Sequence, residues 1–285
     1  MPKIITDIIT EKMSGFSKGQ KRIANAILQS YEKTAYMTAA KLGEFCEVSE
    51  STVVRFAGEL GYEGYPEMQK AVQELVRTKL TPNQRIEVTN LRFGDADVLS
   101  SMLTADMEKI KYTLEHTDRE AFRQAVAALL GARNIYIYGA RSSTTLAYFL
   151  DYNLQMISGN IRYVQPTASH EVFEQLFSLG KGDVLFAISF PRYSKKVINA
   201  VRYAREVGAE VIALTDSEMS PLAEYASYLL TAQSDMASYV DSLVAPLSIC
   251  NALLVAIAKE RQAEIASRFD RLEHIWDQYD VYEKH

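Results

Sequence analysis

NIYIYGARSSTTLAYFLDYNLQMISGNIRYV, residues 134–164, decides how most of this chain folds. A short apolar run, Ile135–Tyr138, leads into a helical stretch, Ser143–Ser158, and then a second apolar run, Ile161–Val164. Strand, helix, strand at that spacing is a βαβ unit, whose two strands are parallel. The alternation continues downstream. Ser169–Leu179 reads as helix, Val184–Ser189 as strand, Lys195–Val207 as helix and Val211–Thr215 as strand. A short segment near Leu222, a last strand Tyr228–Leu230 and a long apolar helix Val240–Ala258 follow. The pattern predicts an α/β domain, a five-stranded parallel sheet covered by helices on both faces. The tail, Arg261–Tyr282, is helical, with Ile265, Phe269, Leu272 and Trp276 on one stripe.

Upstream the period changes. Val98–His116 reads as a long amphipathic helix, and Asp118 caps another that runs to about Leu130. Leu80–Asp97 is polar and irregular, with Pro82, Asn83 and Gly94, and reads as a linker. Up to Lys79 the chain reads as helices joined by short turns. Ser17–Ser30 carries Ile23, Ala26 and Ile27 at helical spacing, with Lys18, Lys21 and Arg22 on the other face. The organisation expected is an all-α domain over residues 1–79, a linker over 80–97, and an α/β domain with flanking helices over 98–285.

Length and composition agree with two domains. The chain has 285 residues, 48% apolar and 24% charged. No apolar run is long enough to suggest a membrane span. The start, Met1–Lys12, lacks the pattern of a secretory signal. Cys46 and Cys250 fall in different halves without a CxxC or Cys/His cluster, as for buried thiols in a reducing cytoplasm. No metal or cofactor is called for. The net charge of −5 is uneven: residues 1–80 hold 11 basic and 10 acidic residues, the remainder 20 and 26. Near-neutrality does not exclude DNA, because phosphate contacts depend on local charge.

Residues 38–61, TAAKLGEFCEVSESTVVRFAGELG, place two short helices around a tight turn at Cys46–Ser49. Thr38 caps the first, Ala39–Cys46. Ser49 caps the second, Glu50–Leu60, which Gly61 ends. Leu42, Val48, Val53, Val54 and Leu60 are placed to form the core that fixes the crossing. In a helix-turn-helix the early turns of the second helix enter the major groove. Thr38, Ser49, Ser51, Thr52 and Arg55 are therefore the candidate DNA-contacting residues, with Arg55 suited to a guanine or a phosphate. An ordinary helical hairpin has the same spacing. The string VSESTVVRF followed by LGYEGYPEM decides between them. It closely resembles the N-terminal domain of the RpiR-type (MurR/RpiR) bacterial regulators, in which this segment is the recognition helix and the turn leading to the next helix.

The later half, about Ala132 to Ala258, resembles the sugar isomerase (SIS) domain that follows this helix-turn-helix in the same family. That resemblance implies a double-stranded DNA operator and a phosphosugar effector as partners, and a homodimer or homotetramer. Two loops fall at strand ends, where such folds bind ligands. Gly139-Ala140-Arg141-Ser142-Ser143 offers hydroxyls and helix-start N–H groups to a phosphate. It keeps Gly139 and Ser143 of the family's Gly-x-Gly-x-Ser but has Arg141 at the second glycine. Ser189-Phe190-Pro191-Arg192-Tyr193-Ser194 stands where the family has Ser-x-Ser-Gly-x-Thr; Ser189 is kept, Ser194 replaces the threonine, and Arg192 replaces the glycine.

Two readings of the arginines stay open: they clamp an anion, or they fill the pocket and pair with acids. His170, at the start of the helix after the second strand, is a further effector candidate; a cap or surface role is the plainer reading. Ser234–Ser242 holds serines that reach a ligand or merely cap. Tyr148, Phe149 and Tyr152 read as core. Apolar stripes on Val98–His116 and Arg261–Tyr282 supply dimer contacts or cover the sheet. The expected function is a cytoplasmic DNA-binding regulator controlled by a phosphorylated ligand. The alternatives are a sugar-phosphate isomerase and a regulator with a dead pocket. An isomerase needs a general base over the substrate carbon, and His170 is the only candidate.

Overall fold

The computed structural model describes residues 4–79, 81–93, 97–235 and 237–282. The chain divides into two units: residues up to Ser101 together with Asp235–Asp241, and Met102–Ser234 together with the chain from Ser242 on. Among the described residues no helix is long and apolar enough to cross a membrane.

The first unit holds α1 (Ile5–Lys12), α2 (Lys18–Thr34), α3 (Ala39–Phe45), α4 (Glu50–Leu60), α5 (Tyr65–Lys79) and α6 (Pro82–Phe93). Local chemistry sets most of these ends. Ser17 opens α2 in a capping box: its hydroxyl accepts the Gln20 N–H while the Gln20 side chain accepts the Ser17 N–H. Thr38 and Ser49 cap α3 and α4 through the N–H groups of Lys41 and Thr52. Gly61 ends α4 at φ 97°, a left-handed position natural to glycine. α2 runs past the expected Ser30, which leaves helical geometry at φ −144° and kinks the helix before its last turn. α1 has no counterpart in the sequence reading; it exists because Ile5 and Ile9, four apart, bury against the other helices.

The first unit's core gathers Ile9, Ile23, Ile27, Leu42, Val53, Phe56 and Met68. Burying Phe56 alone contributes on the order of 2 kcal/mol. Val54, expected inside, is 44% exposed, and Phe56 takes its place. The α-helical period puts Val53, Phe56, Ala57 and Leu60 on one face of α4 and turns Val54 away.

The irregular linker is corrected by α6. Thr81 and Gln84 cap that helix reciprocally, and Pro82 fills its first position, where no N–H is needed. Leu80 and Gly94–Ala96 of the expected linker lie outside the described residues. Arg85 of α6, almost fully buried, donates to the Asp241 carboxylate at 2.8 Å within the same unit.

The second unit is a parallel sheet with helices on both faces. α7 (Val98–His116) leads into it, and α8 (Arg119–Gly131) is capped by Asp118. Then follow β1 (Ile135–Gly139), α9 (Ser143–Ile157), β2 (Ile161–Val164), α10 (Ser169–Gln175), β3 (Val184–Ile188), α11 (Lys195–Glu206), β4 (Glu210–Thr215), β5 (Tyr228–Thr231), α12 (Val244–Glu260) and α13 (Gln262–Gln278). The strand order is β2-β1-β3-β4-β5, all pairs parallel. β1 and β3 are buried over their full length, so they read as unbroken apolar runs.

One face of the sheet packs its Ile137, Phe186 and Ile212 against α8, α9 and α12, with Ile265 and Phe269 of α13 alongside. The other packs Tyr138, Leu185 and Val211 against α10 and α11. Tyr148 and Tyr152, read as core, are 59% and 57% exposed on the outer face of α9, while Phe149 packs against the core. Cys46 and Cys250 are both buried free thiols, and burial pushes Cys250 up to about 12.

Candidate functional site

In the first unit the candidate DNA contacts converge on the start of α4. Ser49 ends the turn; its hydroxyl lies 2.9 Å from Ser51 Oγ and 2.8 Å from Thr52 Oγ1. Ser49, Ser51 and Arg55 are exposed and Thr52 is half-buried. Arg55 Nε donates to the Ser51 carbonyl at 3.3 Å, which lays the guanidinium back along the first turns of α4. Thr38 is exposed at the start of α3, a helix away, where it caps. A groove of about 460 Å³ runs beside these residues, lined by Ser17, Arg22, Glu47, Ser49, Thr52 and Arg55. Arg22 of α2, which lines this groove, was not among the expected candidates, though the sequence reading had placed it on the polar face of that helix.

In the second unit the chain leaves β1 for β2 on one side, and β3 pairs with β1 on the other. Connections diverge at that point, and the C-terminal ends of β1 and β3 are where such sheets hold their ligands. Gly139 faces Ile188 across the ladder, so residues 139–143 and 189–194 leave the sheet side by side. The structure thus brings together Gly139, Arg141, Ser142 and Ser143 with Ser189, Arg192, Tyr193 and Ser194.

Gly139 admits no side chain. A Cβ there would meet the Ser143 carbonyl oxygen at 2.5 Å, because the start of α9 lies directly against it. Arg141 and Arg192 both adopt left-handed backbone, at φ 60° and 61°. These are the two positions where the sequence pattern has glycine. A side chain on left-handed backbone is carried at a cost of about 1 kcal/mol each. Both arginines are exposed, and neither bonds a carboxylate among the described residues.

The second loop is braced from behind. Ser189 Oγ accepts the Ser194 N–H at 3.3 Å, and Tyr193 donates to Asp216 Oδ1 at 2.8 Å. Thr215, fully buried at the end of β4, donates to the Ser189 carbonyl at 2.8 Å. Thr215 and Asp216 were not named as site residues, although they are the last residue of an apolar strand and the one after it, the place where such folds put polar site residues.

Several expectations change. The N–H groups of Thr144 and Thr145 bond the carbonyls of Arg141 and Ser142, so the donors expected from the first turn of α9 are fewer by two. His170 is exposed at the start of α10, after the edge strand β2, and the Thr167 carbonyl in the loop before it accepts from Lys196 Nζ of α11 at 2.7 Å. Ser234 and Ser242 are buried and hold each other's loop: Ser234 Oγ donates to the Ser242 carbonyl, and Ser242 Oγ to Asp106. Tyr138 of β1, next to Gly139, is pushed up to about 12 by burial and stays neutral.

The helix-turn-helix domain of the rpiR family matches residues 4–79, and the SIS domain matches residues 128–256. The chain belongs to the RpiR family of transcriptional regulators. An HTH-type transcriptional regulator of Caldanaerobacter subterraneus is 26% identical over 268 residues, covering 90% of this chain and 92% of that one. HexR of Escherichia coli, an HTH-type transcriptional regulator, is 25% identical over 277 residues, covering 93% and 91%. The sugar isomerase domain of an RpiR transcription factor from Sphaerobacter thermophilus is similar with a TM-score of 0.59 at 27% identity. It covers 61% of this chain and 97% of its own. Vibrio vulnificus NanR, complexed with ManNAc-6P, shares the fold with a TM-score of 0.60 at 20% identity, over 96% and 98% of the two chains.

The exposed start of α4 is the candidate DNA-contacting element of this regulator. Arg55→Ala is expected to weaken operator binding by ~1–3 kcal/mol if Arg55 reads a base. A salt titration checks this: a uniform loss across sequences, with a shallower salt dependence, assigns Arg55 to a phosphate instead.

Proposed function

We propose that this regulator binds operator DNA as a dimer or higher homo-oligomer through α4. We propose also that a small phosphorylated ligand, a sugar phosphate, controls it from between residues 139–143 and 189–194, at the C-terminal ends of β1 and β3. The observation that carries the ligand assignment is the pair of left-handed arginines. Strained non-glycine backbone persists where the side chain has a task. Two guanidinium groups on neighbouring loops, with Ser142, Ser143 and Ser194 beside them, suit a phosphate dianion. Tyr193, held by Asp216, and Ser189, held by the Ser194 N–H, keep the second loop in place. His170, at the start of α10, stays a further candidate for the same ligand.

The reading is a sensor and not an isomerase. Aldose–ketose isomerisation needs a base over the substrate carbon. The two loops supply arginine, serine and tyrosine, and Asp216 Oδ1 accepts from Tyr193. A single helix-turn-helix makes few base contacts, so two half-sites read by two copies is the natural arrangement. Leu103, Met107 and Leu114 of α7, each more than half exposed, are free to serve that pairing.

The test is fluorescence anisotropy on the DNA upstream of the chain's own gene, with and without a panel of sugar phosphates. Salt-dependent binding altered by one phosphosugar supports the proposal; binding that none alters overturns the effector assignment. Arg141→Gly and Arg192→Gly separate function from folding. Each restores the residue that the backbone favours, so each is expected to raise stability by up to about 1 kcal/mol. Each should also weaken the effector's grip about 10- to 100-fold, the worth of a charge-assisted contact. An unchanged effector response in both variants would remove the clamp.

A further inference from the structure

The turn of the helix-turn-helix carries a third left-handed non-glycine residue, Glu47, at φ 52°. It directly follows Cys46, the end of α3, and Val48 N–H closes back on the Gly43 carbonyl at 2.8 Å. Helix ends of this kind favour glycine or asparagine at the left-handed position. A glutamate there calls for a reason, and α2 supplies one. Arg22 Nη1 donates to Glu47 Oε2 at 2.9 Å, and Nη2 donates to the Glu47 carbonyl oxygen at 2.7 Å. One guanidinium holds both the side chain and the backbone of the strained residue.

The surroundings are built to the same tolerance. A Cβ on Gly43 would meet the Val48 carbonyl oxygen at 2.8 Å, and one on Gly19 of α2 would meet Val48 Cγ1 at 3.3 Å. α2, α3 and the turn therefore meet through backbone and small residues. Two residues beyond Glu47, Ser49 caps α4 and anchors the hydroxyl cluster at its start. The Arg22–Glu47 pair is itself open to water, with side chains 43% and 84% exposed. Such a pair adds little to global stability, and the apolar core already holds the helices.

We propose that Arg22 is a positioning residue for DNA recognition. Tethered by the Glu47 carboxylate, its guanidinium fixes the Glu47 carbonyl and with it the turn that aims α4. The gain is preorganisation, because a turn already in its binding geometry loses less freedom on the DNA. The proposal rests on reading α4 as the recognition helix.

The test uses the full chain and a duplex selected by it from a random-sequence library. Arg22→Ala and Glu47→Gly are each expected to lower affinity for that duplex about tenfold, and the double variant should be no worse than either single one. Arg22→Lys should not restore binding, since an ammonium lacks the fork that spans both oxygens. Glu47→Gly relieves the left-handed strain, so its thermal midpoint should hold or rise while its affinity falls. In Arg22→Ala, amide exchange at Val48 should quicken while the core amides stay protected. Affinity that rises in Glu47→Gly, with a steeper salt dependence, would make Arg22 a phosphate contact restrained by Glu47 and would overturn the proposal. So would unchanged affinity or unchanged Val48 exchange in Arg22→Ala. A chain that selects no duplex overturns the DNA reading itself, and the exchange measurement still decides what Arg22 holds.

Discussion

Asp183→Ala is expected to destabilise the second unit by about 3 kcal/mol, lowering its thermal midpoint by roughly 10 °C. Asp183 is fully buried just before β3. Its carboxylate accepts from Arg133 Nε at 2.9 Å and Nη2 at 2.6 Å, from Asn134 Nδ2 at 2.9 Å and from the Gly180 N–H at 3.0 Å. Its backbone carbonyl accepts the Glu210 N–H, and Asn134 bonds Val184. The side chain thus ties the entry ends of β1 and β3, and the backbone carbonyl adds β4, at the opposite end of the strands from residues 139–143 and 189–194. Alanine leaves the Asn134 and Gly180 donors unsatisfied; Arg133, being largely exposed, returns to water and moderates the loss.

The same carboxylate carries a pH signature. The Arg133 hydrogen bond, then those of Asn134 and Gly180, hold its pKa down to about 2, against an ordinary 3.8. A pKa lower in the folded state means the stabilisation is present in full above pH ~4. It fades as pH falls from there and is gone below pH ~2, a span of about 2 kcal/mol. Urea unfolding measured between pH 5 and pH 2 should show this loss in the natural chain and a correspondingly flatter curve in Asp183→Asn. Parallel curves would show that the carboxylate is not the group that titrates.

Gly139→Ala is expected to cost 1–3 kcal/mol and to abolish the effector response. The added carbon meets backbone, the Ser143 carbonyl oxygen at 2.5 Å and its carbon at 2.9 Å, with Ala147 Cβ at 3.2 Å behind. No flexible side chain is there to give way, so the start of α9 must move off the sheet. That shift displaces Ser142 and Ser143 from the loop that leaves β3. Thermal unfolding with and without the responsive sugar phosphate reads both effects, since a ligand that binds only the native state raises the midpoint. A variant that still gains stability from the ligand would show that the close approach is not needed for binding.

Much of this was legible along the chain. The βαβ alternation is a matter of period and length, and the five strands fall within a residue or two of their expected ends. Thr38, Ser49, Gly61 and Asp118 mark helix ends because capping is decided by hydrogen bonds within three or four residues. The glycine-to-arginine departures at Arg141 and Arg192 were visible as sequence. That both keep left-handed backbone was not. α6 was missed although its signal was local: Thr81 and Gln84 form the reciprocal cap, but Pro82, Asn83 and the polar run read as loop.

What the sequence determined by itself was the identity and order of the elements, the helix-turn-helix string and the two loops at strand ends. All of these are fixed by short-range sterics and hydrogen bonding. What only the tertiary structure decided was which distant groups meet. Arg22 reaches Glu47 across 25 positions, Arg133 reaches Asp183 across 50, and Arg85 reaches Asp241 across 156. The strand order, which sets residues 139–143 beside residues 189–194, belongs to the same class. So do the outward turn of Tyr148 and Tyr152 and the burial of Ser234 and Ser242. Each depends on packing that no local pattern encodes, because a side chain's partner is chosen by the path of the whole chain and not by its neighbours in sequence.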